Sequence, residues 1–180
     1  MKCQISHTTG IYGSKLYIPR IVTCSLVIQK VDFETLTWKA FNQFKDDPLL
    51  RKIGFDCKVS GVFPFFSDPD RLEIVIDNLI SNAINFYDSN KARPFIKIHI
   101  TLKKDVAVLE FIDNGIGIGK QHIDHIFNMF YKASHYSKGA GLGLFIVKET
   151  LEKMGGLIEV ETIVVTQSFA SIMNYMCSFI

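Results

Sequence analysis

The sequence predicts a single α/β domain, and three stretches carry that prediction. Asp68 to Tyr87 reads as an amphipathic helix: at about 100° per residue, Leu72, Val75, Ile76, Leu79, Ile80 and Ala83 fall on one arc. Ile96, Ile98, Ile100 and Leu102 alternate with Lys97, His99, Thr101 and Lys103, as a half-buried strand requires. Leu144 to Met154 has helical spacing, stops at Gly155 and Gly156, and leads into a strand-like run from Leu157 to Val164. With 180 residues, the chain is long enough for one domain with a real core and too short for two ordinary ones.

Taken in order, residues 1–30 carry little pattern. Gly10, Gly13 and Pro19 break the segment, and within it Ile21 to Ile28 looks strand-like. From Val31 the chain becomes regular. Phe33, Leu36, Ala40, Phe41 and Phe44 recur at helical spacing, and Asp46, Asp47 and Pro48 end the run. Phe55, Cys57 and Val59 alternate as in a strand that Gly61 closes. The long helix then starts on strong signals: Asp68 can cap it, Pro69 suits its first turn, and Asp70 and Glu73 put negative charge near the positive end of its dipole. After the turn Asp88 to Pro94, the Ile96 strand and Val106 to Ile112 are joined by Lys104 and Asp105, which predicts an antiparallel hairpin ending at Asp113. A glycine-rich loop, a polar and aromatic stretch from Gln121 to Ser137, and a second glycine cluster lead to the last helix.

Composition narrows the function classes. A formal net charge of +2 leaves no basic footprint for nucleic acid or for an acidic membrane surface. Cys3, Cys24, Cys57 and Cys177 are scattered without a CxxC pair, which fits reduced thiols in the cytosol rather than a disulfide framework or zinc site. Leu16 to Ile28 is too short to span a bilayer. In the uncharged run from Ile163 to Ile180, Thr166, Gln167, Ser168, Ser171, Asn174 and Ser178 make a poor membrane helix. The expectation is a soluble, cytoplasmic domain with no membrane span of its own. Trp38 and the phenylalanines are expected in the core, since no basic stripe accompanies them as at a base-stacking surface.

Three clusters point to chemistry. Asn78, Asn82 and Asn85 share one flank of the long helix although asparagine costs roughly 0.5 kcal/mol against alanine there; the row is either a polar border or a set of amide oxygens aimed at a ligand or hard cation. Asp113-Asn114-Gly115-Ile116-Gly117-Ile118 sets a carboxylate at a strand end beside glycines that admit a close ligand, a carboxylate able to accept from an exocyclic amine. The same string is also an ordinary turn. Gly139-Ala140-Gly141-Leu142-Gly143-Leu144 precedes a helix, where free N–H groups and the dipole favour phosphate oxygens. It has neither the lysine of a P-loop nor the leading strand of a dinucleotide fold.

Taken together and in order, the asparagine helix, DNGIGI, IFNMFYKAS and GAGLGL followed by FIVKE resemble the N, G1, F and G2 boxes of the ATP-binding domain of sensor histidine kinases, in the GHKL superfamily. The likeness runs from about Val31 to Val160. It implies a two-layer α/β sandwich with helices on one face of a mixed β-sheet, the Bergerat-type ATP-binding fold, over residues 31–162. It also implies ATP and magnesium as cofactors. By that resemblance Asn82 is the magnesium ligand, Asn78 its neighbour and the candidate catalytic residue, and Asp113 the partner of the adenine amine, with Gly115, Gly117 and Ile118 around the base. Gly139, Gly141, Leu142, Gly143 and Leu144 are the phosphate loop, Phe127 and Phe130 anchor a lid, and Lys132 faces the phosphates. Partners implied are a histidine-bearing dimerisation domain and a response regulator, and the setting implied for the chain is the cytoplasmic part of a membrane-associated sensor.

Departures from the pattern set the alternatives. Asn85 stands where such kinases usually carry lysine and Phe86 where tyrosine is common. Residues 163–180 do not show the family's glycine-threonine turn into a last strand and are expected as a divergent tail. His7 is followed by Thr8, Thr9 and Gly10, without the acidic neighbour and proline of a phosphoacceptor box, so the isolated chain is expected to bind magnesium-ATP without phosphorylating itself. The rival readings are a degenerate, non-catalytic interaction module and an ATP-hydrolysing clamp of the same superfamily, although clamps carry a glutamate at the position of Asn78. His122 and His125, three apart in the expected lid, lack a third metal ligand.

Overall fold

A computed structural model describes residues 25–133, 139–165 and 170–179. A short strand, β1 (Gln29–Lys30), leads to helix α1 (Phe33–Asn42), strands β2 (Gly54–Ser60) and β3 (Phe66–Ser67), helix α2 (Pro69–Asn85), strands β4 (Phe95–Lys103) and β5 (Val106–Asp113), helix α3 (Gly143–Lys153), and strands β6 (Leu157–Val165) and β7 (Ala170–Phe179). Residues 25–28, at the end of the expected early strand, have no regular structure; its beginning lies outside the described residues.

Aspartates start the first two helices. Asp32 accepts the Thr35 N–H at 3.1 Å and the Thr35 hydroxyl at 2.9 Å, and these bonds hold its carboxyl below its ordinary value. Asp68 does more. Its Oδ1 accepts the Arg71 N–H at 3.2 Å, its Oδ2 accepts the Val27 N–H at 3.0 Å, and the same oxygen lies 3.5 Å from Arg71 Nε. One buried carboxylate thus caps α2 and ties the chain ahead of β1 to it. The antiparallel pairing of β1 with β3 extends the tie. At the other end of the fold, the last turn of α3 closes on Gly155 at φ +72°, with Gly156 N–H donating to Leu151 O at 2.8 Å.

Five strands form one sheet in the order β2-β4-β5-β7-β6, with β2 parallel to β4 and every other pair antiparallel. The register sets Ile96 against Asp113, Ile98 against Phe111, Ile100 against Leu109 and Leu102 against Ala107. Those residues share one face, and all but Leu102 are buried. The apolar arc of α2 (Leu72, Val75, Ile76, Leu79, Ile80, Ala83, Ile84) and Ile146, Val147 and Leu151 of α3 are buried as well. Helices therefore lie over one face of a mixed sheet, the two-layer architecture expected.

Two expectations change. Residues 163–180 hold the end of β6 and the whole of β7, a strand paired on both edges. An interior strand draws its hydrogen bonds from the backbone, so a run with poor apolar alternation can still occupy it. Trp38 is the second: it is 40% exposed rather than in the core. It packs edge-on against Phe41 and Phe55, whose rings stack at 3.8 Å on the flank of α1 and β2. Phe33, Phe65 and Phe111 do enter the core. Among the described residues no helix is long and apolar enough to cross a membrane.

Candidate functional site

Helix α2 is the floor on which both glycine loops rest. Asn78 Nδ2 donates to Ile74 O at 2.7 Å, which turns its Oδ1 away from the helix. That oxygen meets the start of α3: a Cβ on Gly143 would stand 3.2 Å from Asn78 Oδ1 and 3.5 Å from Asn82 Oδ1. Glycine thus allows so close an approach without displacing either amide. Two amide oxygens and a glycine backbone at a helix start come together here, as expected for the asparagine helix and the second glycine loop. Unlike α1 and α2, α3 has no side-chain cap, so its first N–H groups and its dipole are left for an anion.

The first glycine loop docks one turn further along α2. Ile116 N–H donates to Phe86 O at 2.9 Å, and a Cβ on Gly115 would collide with the same carbonyl. From the middle of α2 to Phe86 is four to eight residues, about 6–12 Å along the axis at 1.5 Å per residue. Gly117, at φ +71°, turns the chain back, and Ile118 is half-buried against the core.

Asp113, at the end of β5, is buried at 9% exposure. Its Oδ1 accepts the Gly115 N–H at 2.8 Å. Burial nevertheless dominates and pushes its carboxyl up to about 6, against the lowering effect of that bond. A carboxylate so poorly compensated is primed for a ligand that donates to it. Its placement depends on Asn114, a residue whose role sequence reasoning missed: Oδ1 accepts the Phe95 N–H at 2.8 Å and Nδ2 donates to Arg93 O at 3.0 Å, clasping the start of β4 to the end of β5.

Around the second loop, Gly141 at φ +70° lies against the backbone of Phe130 and Tyr131; a Cβ on it would stand 2.7 Å from Tyr131 O. Leu142 is half-buried, Leu144 packs on the core and Gly139, at φ +131°, is exposed. The expected lid anchors divide: Phe127 is half-buried, whereas Phe130 is 64% exposed at φ +63°. Lys132 is exposed. Asn85 is not drawn into the cluster; it is exposed and donates to Ser81 Oγ at 3.2 Å. His122 and His125 both lie beside Tyr131, with His122 Nδ1 at 2.7 Å from its hydroxyl. Residues 134–138 of the expected lid lie outside the described residues.

The family described as "Histidine kinase-, DNA gyrase B-, and HSP90-like ATPase" matches residues 67–171, from the start of α2 into β7. The chain belongs to this family. Sensor protein SrrB of Staphylococcus aureus is 37% identical over 101 residues, covering 53% of this chain and 16% of that protein. The chain thus spans about a sixth of the length of the curated relatives it matches. Among solved structures, full-length ShkA in complex with AMPPNP superposes at a TM-score of 0.73 and 21% identity, over 91% of this chain and 34% of that one. The mycobacterial sensor histidine kinase MprB does so at 0.70 and 21%, over 85% and 97%. These likenesses show the fold, that of histidine kinase catalytic domains.

Proposed function

We propose that the chain is the catalytic, ATP-binding domain of a two-component sensor kinase, which donates the γ-phosphoryl group of ATP to a histidine on a separate dimerisation domain. The observation that carries this reading is the convergence of Asn78 Oδ1 and Asn82 Oδ1 on the start of α3 at Gly143, one to two turns of α2 from Phe86, where the first glycine loop sets the Asp113 carboxylate at the other end of the site. The two ends suit the two ends of ATP: Asp113 accepts from the adenine amine between Gly115, Gly117 and Ile118, while the uncapped start of α3 and the loop from Gly139 to Leu144 donate to phosphate oxygens.

Magnesium fits the donor set. Two neutral amide oxygens make a weak site alone, the kind that holds a hard cation together with phosphate and water oxygens. Asn82 would hold it, with Asn78 beside it, and it would supply positive charge to offset that of the phosphates. The chain's own residues bind, orient and neutralise; the attacking imidazole comes from the partner domain. Asn78, an amide bonded to Ile74 O, has no proton-accepting group to activate water, which speaks against a hydrolytic clamp. A cytoplasmic setting, a response regulator as the next acceptor, and no self-phosphorylation by the isolated chain belong to the same reading.

The test is calorimetric titration of the chain with magnesium-ATP, followed by transfer of labelled phosphate to an added dimerisation domain. Asn82→Ala and Asp113→Ala should each abolish or weaken binding at least tenfold. Binding indifferent to both would sink the site assignment, and binding without transfer would leave the interaction-module reading standing.

A further inference from the structure

The stretch between the two glycine loops contains a contact that the functions assigned so far do not use. His122 follows directly on the first glycine loop; its N–H donates to Gly119 O at 2.9 Å, and Gln121 Nε2 lies 3.3 Å from its Nε2. Its Nδ1 is 2.7 Å from the Tyr131 hydroxyl, in a part-buried bond that spans nine residues. Tyr131 in turn presents its backbone to the second loop: its carbonyl and that of Phe130 border Gly141 so closely that a side chain there would overlap them. Phe130 sits at φ +63°, a left-handed backbone that side-chain-bearing residues avoid unless their surroundings hold them. Gly141 is two residues from Gly143, which rests on Asn78 and Asn82.

We propose that His122 and Tyr131 are positioning residues for the phosphate end of the site: their hydrogen bond fixes the Phe130–Tyr131 backbone, and through Gly141 it sets the second glycine loop on the asparagines. The inference rests on the ATP-binding reading above. Neither side chain touches the ligand in this scheme. The first loop and Asp113 lie on the near side of His122, docked independently on Phe86, so the adenine end keeps its geometry when the bond is lost.

The experiment titrates the chain with magnesium-ATP and, separately, with adenosine. Tyr131→Phe removes the hydroxyl and keeps the ring; His122→Ala removes the other partner. Each is expected to weaken ATP binding about three- to tenfold, the range for one lost hydrogen bond, while adenosine binding stays within about twofold. The double variant should be no weaker than the worse single one, because both remove the same bond. Equal losses for ATP and adenosine, no loss at all, or multiplying losses in the double variant would overturn the proposal while leaving the site reading intact. If the unaltered chain bound neither ligand, the site reading would fail and this proposal with it.

Discussion

Replacing Asp113 by asparagine should stabilise the empty domain near neutral pH while damaging its ligand binding. Burial raises this carboxyl from 3.8 to about 6, and about 2 pKa units correspond to about 3 kcal/mol. Between those two values the folded chain holds a proton more firmly than the unfolded chain. The empty domain therefore loses stability as pH climbs through that window, and the full cost is present above it. Asparagine is nearly isosteric, can still accept the Gly115 N–H through its oxygen, and carries no charge to desolvate. At pH 7.5 the variant should unfold roughly 6–12 °C above the parent for a chain of this size. At pH 4.5, where Asp113 is mostly protonated when folded, the advantage should shrink to about a third. Thermal unfolding of both proteins without ligand, at both pH values, reads this directly; other carboxylates titrate alike in the two and cancel. Adenosine and ATP should bind the variant about tenfold more weakly or worse, since an ionic acceptor is replaced by a neutral one. A variant that melts no later than the parent at pH 7.5, or gains equally at both pH values, would refute the argument.

Gly143→Ala places a methyl 3.2 Å from Asn78 Oδ1, so magnesium-ATP binding should fall about fivefold in a titration while the melting temperature holds or rises, alanine being the better helix former. Asp68→Ala removes the cap of α2, the bond to Val27 and a carboxylate beside the buried Arg71; urea unfolding should show a loss of about 2–4 kcal/mol. Asn85→Lys restores a cation on the exposed flank of α2, one turn beyond Asn82. Calorimetry at low salt should show ATP binding two- to fivefold tighter, a gain of up to about 1 kcal/mol that high salt removes.

Most of the fold could be read because its main signals are local. Asp68 caps α2 where it is expected, the alternation from Ile96 to Leu102 marks the buried face of β4, and Gly155 and Gly156 end α3. What escaped depends on distant partners. β7 owes its place to two neighbours in the sheet, and the sequence Ala170 to Phe179 lacks a clean period of two. Trp38 lies on the edge of the layer, covered in part by Phe41 and Phe55, and nothing in its helical spacing distinguishes that flank from the core. In the site, the residue types of Asn78, Asn82, Asp113 and the glycines announced polar chemistry. The clasp made by Asn114 and the His122–Tyr131 bond could not be read, because each joins residues nine to twenty-one positions apart through side-chain geometry. The sole local hint for Asn114 was its place in an Asp-Asn-Gly turn.

The polarity of the proposed site also bears on which nucleotide would suit it. At one end of the site a buried carboxylate holds one N–H, from Gly115, and above pH 6 it can do nothing but accept. At the other end the chain offers neutral amide oxygens and an uncapped helix start, which favour an anion and a cation together rather than either alone. A ligand must therefore donate at its head and carry negative charge at its tail, with about 6–12 Å between the two along the helix. Adenine presents an amine to such a carboxylate. Guanine presents a carbonyl at the corresponding ring position, and two acceptors facing each other in a buried site repel. On the proposed reading, the feature that destabilises the empty domain is thus also the one that would select the base, and the desolvation cost of Asp113 would be relieved when the right donor arrives.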